Sequence, residues 1–489
     1  MSEILKLLLI LIFISLLIVS LETLAHRKVL SAEFARKSLH ILAGVLISLS
    51  PFIFDNFYYP FITAIAASLF SIAAVKFNFL PRIDPPSRGT LGTFFFSFSF
   101  AILLVFYWDN YKWLISLSYL LFVIGDAFAA IVGENSKRRI TLAINSEPKT
   151  LQGALTIFAT TFLLFAAFWS IFKHQLSFLD LSLDKFVIFN IIVSTVAMVV
   201  EILSRKGSDN IFLPIVISFT IFICVIQPQY LDSFALGFVL SILIVFISLR
   251  FKFLSIEGAL STFLLALFIY GLGEWKWTLP IFVFFLFSSI LSKLSGSSKK
   301  SSVTMGRTKG SERDMMQVFA NGGIAFITIT LNFLFPNDSW YLVYLVSLSV
   351  SMTDTWSTEI GTWLGEKTFL ITNLKTVNRG ESGGVSLVGT IGGVFGSIVV
   401  ISSGLIFVNL SVELFIMLVI FGTVGSVIDS ILGASIQAKY YCTNCHSIVE
   451  LKTHCNRAAE FKSGFGMMNN DLVNFSSVLI ISIIFFTIL

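Results

Sequence analysis

Two isolated acids, Asp126 and Asp354, each follow an apolar run and are followed by small residues and, seven positions on, by a glycine. Within about twenty residues of that glycine comes a basic loop that contains glycine, residues 149–153 in one case and 379–384 in the other. Carboxylates bind divalent cations, and the backbone of glycine loops can approach phosphates closely. The pattern therefore indicates phosphate chemistry with a divalent cation, and its repetition indicates two related active sites.

These residues must be positioned by membrane helices. The 489 residues are 56% hydrophobic and 12% charged, with a mean hydropathy of +0.90, whereas soluble domains carry about 25% charged residues. Apolar runs of bilayer length recur throughout. We therefore predict an all-α polytopic membrane protein with two distantly related helical-bundle halves. About sixteen helices are expected, near residues 4–20, 38–54, 57–76, 91–107, 113–133, 151–172, 186–203, 211–227, 233–249, 255–271, 277–293, 317–335, 340–363, 384–408, 412–435 and 473–489.

The distribution of lysine and arginine predicts the orientation of these helices. With the N-terminus outside, the outer segments hold five basic residues and the inner segments the other twenty-eight of thirty-three. Because positive residues stay on the cytoplasmic side, we expect both termini outside the cell membrane and the active-site loops in the cytoplasm. The net charge of +5 has this origin and does not indicate nucleic-acid binding.

Two features bear on the organisation of the chain. The first apolar run lacks a small-residue cleavage site, which favours an uncleaved anchor over a signal peptide. The weakest joint lies near residue 230, where residues 227–229 and 250–252 flank a plain apolar helix. We therefore predict two membrane domains, residues 1–230 and 231–489.

In the first domain, Glu33, Arg36, Lys37 and His40 recur at helical spacing and lie on one helix face. Snorkelling of long basic side chains to lipid headgroups explains Arg36 and Lys37. It does not explain His40, which lies a turn deeper. All three are predicted to contact the substrate or nucleotide.

Asp126 is the principal candidate of this domain, because an ionisable residue at membrane depth is costly and usually functional. A helix-end carboxylate facing water is the alternative. Lys149 begins a loop that can bind phosphate at a helix N-terminus. Glu201, Asp209 and Asn210 surround a glycine turn. We predict that Asp126, Glu201 and Asp209 hold Mg²⁺, that Asp126 and Asp209 are catalytic, and that Lys149 and Asn210 bind nucleotide.

Four motifs occur in order over about residues 20–225: RK-x-x-H, GD-x-x-A-x-x-x-G, K-[ST]-x-x-G and E-x-x-S-x-x-G-x-DN-x-x-x-P. This series resembles the phytol kinase and dolichol kinase group of membrane polyprenol kinases. The resemblance implies transfer of a terminal phosphate, typically from CTP, to an isoprenoid alcohol such as phytol or geranylgeraniol. The family often has Ser and Glu where this chain has Thr150 and Gln152, so this chain lacks the family's glutamate at that position.

The second domain repeats this logic with other residues. Asp354, Glu359 and Asp429 are isolated acids in apolar stretches and are the predicted Mg²⁺ ligands, with Asp354 and Asp429 also catalytic. The predicted substrate- and nucleotide-binding residues are Arg307, Lys309, Arg313, Asn321 and Arg379. For Gly389, Gly392, Gly393 and Gly396, tight helix packing is the better interpretation.

The motifs QV-x-ANGG, DTW-x-[ST]E-x-G, GGVS-x-x-G and DS-x-x-GA cover about residues 250–475. They resemble the integral membrane family that contains plant phytyl-phosphate kinase, although residues 379–383 replace a G-T-N-G-type loop. Together the two resemblances imply a fusion of two kinases, which converts an isoprenoid alcohol to its monophosphate and then to its diphosphate, with membrane lipids as surroundings and CTP or another nucleoside triphosphate as donor.

Two other functions stay open. Related halves with intramembrane acids also occur in transporters and flippases, although these place polar residues near the midplane rather than beside basic loops. A cytidylyltransferase that forms a CDP-lipid has the same nucleotide and metal needs. Product analysis distinguishes the three.

Cysteine and histidine cluster in residues 442–455. Cys442, Cys445 and Cys455 with His454 are possible ligands of a structural zinc ion. Plain reduced thiols are an equal alternative, and C-x-x-C-H haem attachment is a weak one.

Overall fold

The computed structural model describes all residues except 83–89, 137, 143, 145–148, 175–180, 299–311 and 366, together with the side chains of 296–298. Two predicted binding residues, Arg307 and Lys309, lie outside the described residues. The chain forms two compact units, Met1–Ala235 and Leu236–Leu489, called here the first and second unit. The assignment of a separate activity to each remains a prediction.

The first unit is entirely helical in its described elements. Its helices are α1 (Glu3–His26), α2 (Ala32–Ile53), α3 (Tyr58–Phe77), α4 (Gly92–Tyr107), α5 (Lys112–Asn135), α6 (Leu151–Phe172), α7 (Leu183–Leu203) and α8 (Asp209–Ile221). A π-helical turn (Phe222–Ile226) and a 3₁₀ turn (Pro228–Tyr230) lead to α9 (Leu231–Arg250), most of which belongs to the second unit. Helix α5 packs against α2, α6 and α8, and its middle is fully buried. Asp126 therefore lies on the central helix of the unit.

The second unit adds short strands to its helices. Its helices are α10 (Ile256–Ser298), α11 (Met315–Leu334), α12 (Ser339–Leu364), α13 (Leu387–Gly404), α14 (Val412–Ser435) and α15 (Asn470–Ile488). Strands β1 (Thr368–Leu370), β2 (Thr376–Val377) and β3 (Gly384–Val385) form an antiparallel sheet before α13. Strands β4 (Lys439–Cys442), β5 (Ser447–Val449), β6 (Thr453–His454), β7 (Arg457–Ala458) and β8 (Glu460–Ser463) lie between α14 and α15. Helix α12 is central and packs against α10, α11, α13, α14 and α15.

The all-α polytopic class is confirmed. Among the described residues, twelve helices are long and apolar enough to cross a membrane. Helices α2, α4 and α12 are not among the twelve. Helix α4 is too short, while α2 and α12 carry His40, Asp354 and Glu359, whose polarity lowers the apolar content. Helix α10 contains a non-helical residue, Glu274 (φ 50°), between the two predicted segments. The count of sixteen crossings and the orientation in the membrane remain predictions.

Candidate active sites and a candidate metal centre

Three carboxylates meet in the first unit. Asp126 on α5, Glu201 near the end of α7 and Asp209 at the start of α8 each offer an oxygen within 4.8 Å of the others. Glu201 is buried, and the other two are partly buried. Like charges this close repel one another unless a cation lies among them. The cluster therefore has the hard oxygen ligands and the excess negative charge that Mg²⁺ requires.

Lys149 supplies one positive charge to this cluster. Its Nζ lies 2.6 Å from Glu201 Oε1. Burial works against the charged ammonium, but the carboxylates of Glu201, Asp209 and Asp126 outweigh that cost and raise the pKa of Lys149 above its usual value. The lysine is therefore held charged beside the acids, although one lysine cannot neutralise three carboxylates.

The turn before α8 is fixed by contact with α4. Gly207 has a φ of +81°, and a Cβ there would lie 2.6 Å from Gly92 Cα. Asn210 Nδ2 donates to the Gly92 carbonyl at 2.8 Å. Asn210, predicted to bind nucleotide, therefore holds the backbone that presents Asp209.

The three predicted residues of α2 lie near the acids in different ways. His40 Nε2 lies 3.5 Å from Asp126 Oδ2, and its ring packs on Phe96 with centroids 4.8 Å apart. Arg36 and Lys37 instead form ion pairs: Arg36 Nη2 is 3.0 Å from Glu33 Oε1, and Lys37 Nζ is 2.5 Å from Glu134 Oε2. His40 is thus the α2 residue that shares a contact with a clustered carboxylate.

A cavity of about 1290 Å³ opens onto the same residues. Its apolar lining comes from α1, α2, α3 and α4, and its polar lining includes His40, Asp126, Lys149, Glu201 and Asp209. An apolar chain with one polar group matches such a lining, because the chain can bury its surface while the polar group faces the charges.

Gln152 is a residue whose role the motifs did not reveal. Its Nε2 donates to the Arg138 carbonyl at 2.6 Å, and its Oε1 accepts from Ile140 N at 3.2 Å. The bond to the Arg138 carbonyl requires an amide, since an ionised carboxylate has no donor. The glutamine therefore fastens the loop before α6, and only the three-dimensional structure shows this partner.

In the first unit a close contact joins α5, the helix of Asp126, to α6. Thr150 caps α6, its Oγ1 accepting from Gly153 N at 3.1 Å. A Cβ on Gly133 would lie 2.7 Å from that hydroxyl oxygen. The glycine seven residues after Asp126 therefore makes room for the cap.

The second unit contains the same arrangement. Ser386 caps α13, its Oγ accepting from Gly389 N at 3.1 Å. A Cβ on Gly361, seven residues after Asp354, would lie 2.8 Å from that oxygen. The repeated sequence pattern thus corresponds to a repeated packing element. The glycines of α13 are confirmed as close-packed, since a Cβ on Gly396 would lie 3.0 Å from the Trp356 ring.

The acids of the second unit separate into a pair and a single residue. The carboxylate of Asp429 interacts with that of Asp354, and its Oδ2 accepts from Ser477 Oγ at 3.2 Å. With its amide nitrogen turned toward α14, Asn474 donates to the same oxygen at 3.1 Å. Glu359 does not join them in a three-acid cluster among the described residues.

Glu359 instead interacts with α10 and with the start of α11. Ser292 Oγ lies 3.1 Å from its Oε1, Ser295 donates to its other oxygen, and Arg313 interacts with it electrostatically. The Arg313 backbone is bonded to the residues before α10, its N–H donating to the Phe253 carbonyl at 3.0 Å. Arg313 and Glu359 therefore join three segments of the unit.

Two other predicted binding residues have distinct surroundings. Arg379 is exposed in the loop between β2 and β3. Asn321 lies inside the unit, its Nδ2 donating to the Gln317 carbonyl at 2.8 Å, and it lines a cavity of about 70 Å³ together with Arg313. Of the two, only Arg379 is open to a soluble nucleotide without rearrangement.

The loop of Arg379 packs on the end of α14. Gly383 has a φ of +82°, and a Cβ there would lie 2.5 Å from Ala434 Cβ. Ser382 Oγ donates to Gln437 Oε1 at 2.6 Å. The sheet β1–β3 and α14 therefore hold the loop, which the sequence indicated only as an irregular segment.

The four predicted zinc ligands lie together. Cys442, Cys445, His454 and Cys455 each offer a ligand atom within 4.8 Å of the others. His454 Nδ1 is 3.4 Å from Cys445 Sγ and 3.3 Å from Cys455 Sγ. Cys224, by contrast, is buried in the first unit. The cluster has the number and type of donors of a tetrahedral zinc site.

Comparison with known proteins gives a family match. A family model described as "Integral membrane protein DUF92" matches residues 239–482. Protein PGR of Arabidopsis thaliana is 31% identical over 281 residues, which cover 52% of this chain and 95% of that protein. No solved structure matches the chain significantly.

Two further relatives have informative names. A protein named phytol kinase from Synechocystis sp. is 24% identical over 207 residues, 42% of this chain and 84% of that protein. Protein VTE6, chloroplastic, of Arabidopsis thaliana is 27% identical over 169 residues, 35% of this chain and 41% of that protein. The chain is thus similar, at low identity, to a protein named phytol kinase.

Proposed function

Because the chain belongs to the DUF92 family of integral membrane proteins, we propose that it is a membrane kinase acting on isoprenoid lipids. The first unit phosphorylates an isoprenoid alcohol such as phytol or geranylgeraniol, and the second unit phosphorylates the monophosphate to the diphosphate. The donor is a nucleoside triphosphate, with CTP as the first candidate from the resemblance to polyprenol kinases. The similarity to a phytol kinase supports a kinase-type transferase.

One observation carries the proposal: three carboxylates and Lys149 line the same large cavity as the apolar faces of α1 to α4. Phosphoryl transfer requires positioning and charge compensation more than covalent chemistry by the protein. The charged residues provide positioning and charge compensation for the phosphates. The apolar lining accommodates the isoprenoid chain, so that the two reactants meet at His40 and Asp126.

In the first step the alcohol oxygen forms a bond to the terminal phosphorus, while the bond between that phosphorus and the bridging oxygen breaks and the nucleoside diphosphate leaves. The hydroxyl proton passes to Asp126. His40, 3.5 Å from Asp126 Oδ2, positions the hydroxyl at the junction between apolar and charged lining. Lys149 compensates the phosphate charge.

The carboxylates of Asp126, Glu201 and Asp209 would hold Mg²⁺, which when bound neutralises charge on the triphosphate. Lys149 Nζ, 2.6 Å from Glu201 Oε1, stays beside these carboxylates and offsets part of their negative charge when the cation is absent. Substitution of one of these acids should therefore weaken cation dependence as well as activity.

The second step has a different requirement. A phosphate monoester has a second pKa of about 6 and is already ionised at neutral pH, so its oxygen can attack without a general base. The Asp354–Asp429 pair, supported by Ser477 and Asn474, supplies the acids there. Arg379 is the exposed positive residue of the neighbouring loop. This division predicts that the two steps fail independently.

The test uses membranes containing the full chain, terminally labelled CTP and Mg²⁺, with phytol, geranylgeraniol or phytyl monophosphate as acceptor. Products are identified by thin-layer separation and mass spectrometry. We expect monophosphate from the alcohols and diphosphate from the monophosphate. Asp126→Asn should abolish only the first product and Asp354→Asn only the second, whereas the exposed Asp184→Asn and Glu413→Gln serve as matched controls that retain both.

Other outcomes distinguish the competing functions. No transfer to either acceptor with CTP, UTP or ATP would overturn the kinase proposal. A CDP-lipid product would instead identify a cytidylyltransferase. Movement of a labelled lipid phosphate between leaflets, without new phosphate bonds, would identify a flippase.

A further inference from the structure

The segment between α14 and α15 forms a small β unit with its own chemistry. Two hairpins build it: β4 pairs with β5, and β6 pairs with β7. Each hairpin contributes two of the clustered side chains. Cys442 ends β4 and Cys445 lies in the following turn, while His454 ends β6 and Cys455 begins the next turn. Such pairs of ligands from two turns can surround one ion.

The conformation of these turns is costly without a stabilising partner. Cys455 and Asn456 have φ values of 50° and 58°, in the left-handed region that asparagine tolerates but that cysteine seldom adopts. The apolar core of the segment consists of Ala438, Tyr440, Cys442 and Val449. So small a core contributes little stability, and small domains commonly depend on a metal or disulfides. The cysteines are not paired in disulfides.

The side-chain chemistry selects the class of ion. Three thiols and an imidazole are soft or borderline ligands, which favour Zn²⁺ over the Mg²⁺ expected at the carboxylates. The structure also distinguishes the two histidines. His454 Nδ1 contacts Cys445 and Cys455, whereas His446 Nδ1 lies 3.0 Å from the Tyr441 hydroxyl. His446, the histidine of the C-x-x-C-H sequence, is therefore directed to a different partner.

We propose that Cys442, Cys445, His454 and Cys455 bind one Zn²⁺ ion, and that this ion braces the backbone at the end of α14. The segment closes onto that point. Ala438 N donates to the Met468 carbonyl at 2.8 Å, and Phe465 N donates to the Ile436 carbonyl at 3.0 Å.

Between these two backbone bonds lies Gln437, whose Oε1 accepts from Ser382 Oγ. Ser382 belongs to the loop that carries Arg379. The zinc-bound hairpins thus fix the residue that holds this loop. This structural role does not depend on the reaction catalysed, so the metal site can be tested without any measurement of kinase activity.

The first experiment measures metal in the intact, detergent-purified protein by inductively coupled plasma mass spectrometry. We expect about one zinc per chain after extensive dialysis, and replacement by Co²⁺ should give thiolate charge-transfer absorption with a tetrahedral d–d spectrum. Absence of stoichiometric zinc together with absence of a Co²⁺ spectrum would overturn the proposal. Stoichiometric iron in place of zinc would overturn the assigned ion.

Thiol alkylation of the unmutated protein gives an independent readout. Cys455 is exposed and Cys445 is partly exposed, so both should react with maleimide if no metal holds them. We expect protection in the purified protein and rapid labelling once a chelator removes the ion. Equal labelling before and after chelation contradicts the site. Cys224, buried in the first unit, should stay unlabelled in both samples.

Paired variants identify the ligands. Cys445→Ser and His454→Ala should each lose more than ~10-fold in zinc affinity, because loss even of a residue that only orients a metal ligand typically costs about 10–100-fold. Cys224→Ser and His446→Ala change the same residue types outside the cluster and should keep the metal. Retention of zinc by His454→Ala with its loss from His446→Ala would reject the assigned histidine.

Discussion

Gly133 on α5 faces the hydroxyl of Thr150, the residue that caps α6, so closely that a Cβ on the glycine would lie 2.7 Å from the oxygen. Gly361 and Ser386 repeat this relationship in the second unit at 2.8 Å. In each case the contact joins the helix of Asp126 or Asp354 to a loop that carries a basic residue. The distance between acid and basic loop therefore depends on a residue without a side chain.

Replacement of either glycine by alanine should impair one step only. Gly133→Ala must push the Thr150 cap away, because contacts below 3.0 Å are not tolerated by real Cβ atoms. We expect phosphorylation of the alcohol to fall by ~10-fold or more, since misplacement by about 1 Å can cost ~100-fold. Gly361→Ala should affect the monophosphate step in the same way. The measurement is label transfer to each acceptor.

Gly466→Ala is the matched control, since nothing lies within 4 Å of a Cβ at that position. It should leave both steps unchanged. Equal loss of both steps in Gly133→Ala would show that the two sites are not independent.

Much of this element could be predicted from the sequence, because spacing along a helix is local information. The acid, the later glycine and the basic loop are all visible as a pattern around Asp126 and Asp354. The contacts that hold the surrounding loops are not local. Gln152 contacts the Arg138 and Ile140 backbone, and Asn210 contacts Gly92 across 118 positions. Such contacts depend on tertiary packing, which no single segment specifies.

The same limit explains the short strands before α13. Residues 368–385 contain too few apolar residues in alternation to indicate a sheet. Pairing of Phe369 with both Thr376 and Val385 creates one nevertheless. Likewise, Glu359 is separated from the Asp354–Asp429 pair because residues five apart on a helix point in different directions. The sequence grouped the three acids only because each is an isolated acid in an apolar stretch.

Lys149→Met should reduce the first step more than Lys149→Arg does. The methionine removes the positive charge that lies 2.6 Å from Glu201 and leaves the buried carboxylate without that partner, whereas arginine keeps the charge in a different shape. Loss of one electrostatic stabiliser typically costs about 10²–10³ in kcat, and we expect this range for the methionine variant. Initial rates at varied CTP and alcohol concentrations measure it.

The control for Lys149 is Lys185→Met, because Lys185 is exposed. It should retain full activity toward the alcohol. If Lys149→Met were to keep kcat/KM for CTP within twofold of the unmutated protein, Lys149 would have no role in phosphate binding.

His40→Asn should lower kcat of the first step while leaving the KM for CTP nearly unchanged. The ring lies beside Asp126 and packs on Phe96 at the apolar part of the cavity, so it acts on the alcohol rather than on the nucleotide. Because misplacement of a reactant by about 1 Å can cost ~100-fold in rate, we expect a loss of about that size. Initial rates at varied alcohol and CTP concentrations separate the two parameters.

His26→Asn is the comparison for this variant, because His26 is an exposed residue at the end of α1. A large increase in the KM for CTP in His40→Asn, without a change in kcat, would reassign His40 to nucleotide binding.

The bond between Ser382 and Gln437 should affect the second step through loop position. Ser382→Ala and Gln437→Ala each remove the same 2.6 Å hydrogen bond, so their effects should not add. A typical hydrogen bond contributes about 0.5–1.5 kcal/mol. Loss of that free energy corresponds to a rise of about 2- to 10-fold in the KM for the nucleotide donor. Ser403→Ala, which removes only a bond to the Val400 carbonyl in the same helix, is the control. Fully additive effects in the double variant would contradict the shared contact.

Asp354→Asn and Glu359→Gln should differ in kind. Asp354 interacts with Asp429, so Asp354→Asn should abolish diphosphate formation and leave thermal unfolding in detergent unchanged.

Glu359 interacts with Ser292, Ser295 and Arg313, so Glu359→Gln removes charge compensation for a largely enclosed guanidinium. Breaking such a pair from one side leaves the other charge uncompensated and is strongly destabilising. We therefore expect Glu359→Gln to lower the midpoint of thermal unfolding by several degrees, with activity lost in proportion to the folded fraction. The control Glu413→Gln should match the unmutated protein in both assays. An inactive Glu359→Gln protein with an unchanged midpoint would instead place Glu359 among the metal ligands, as the sequence predicts.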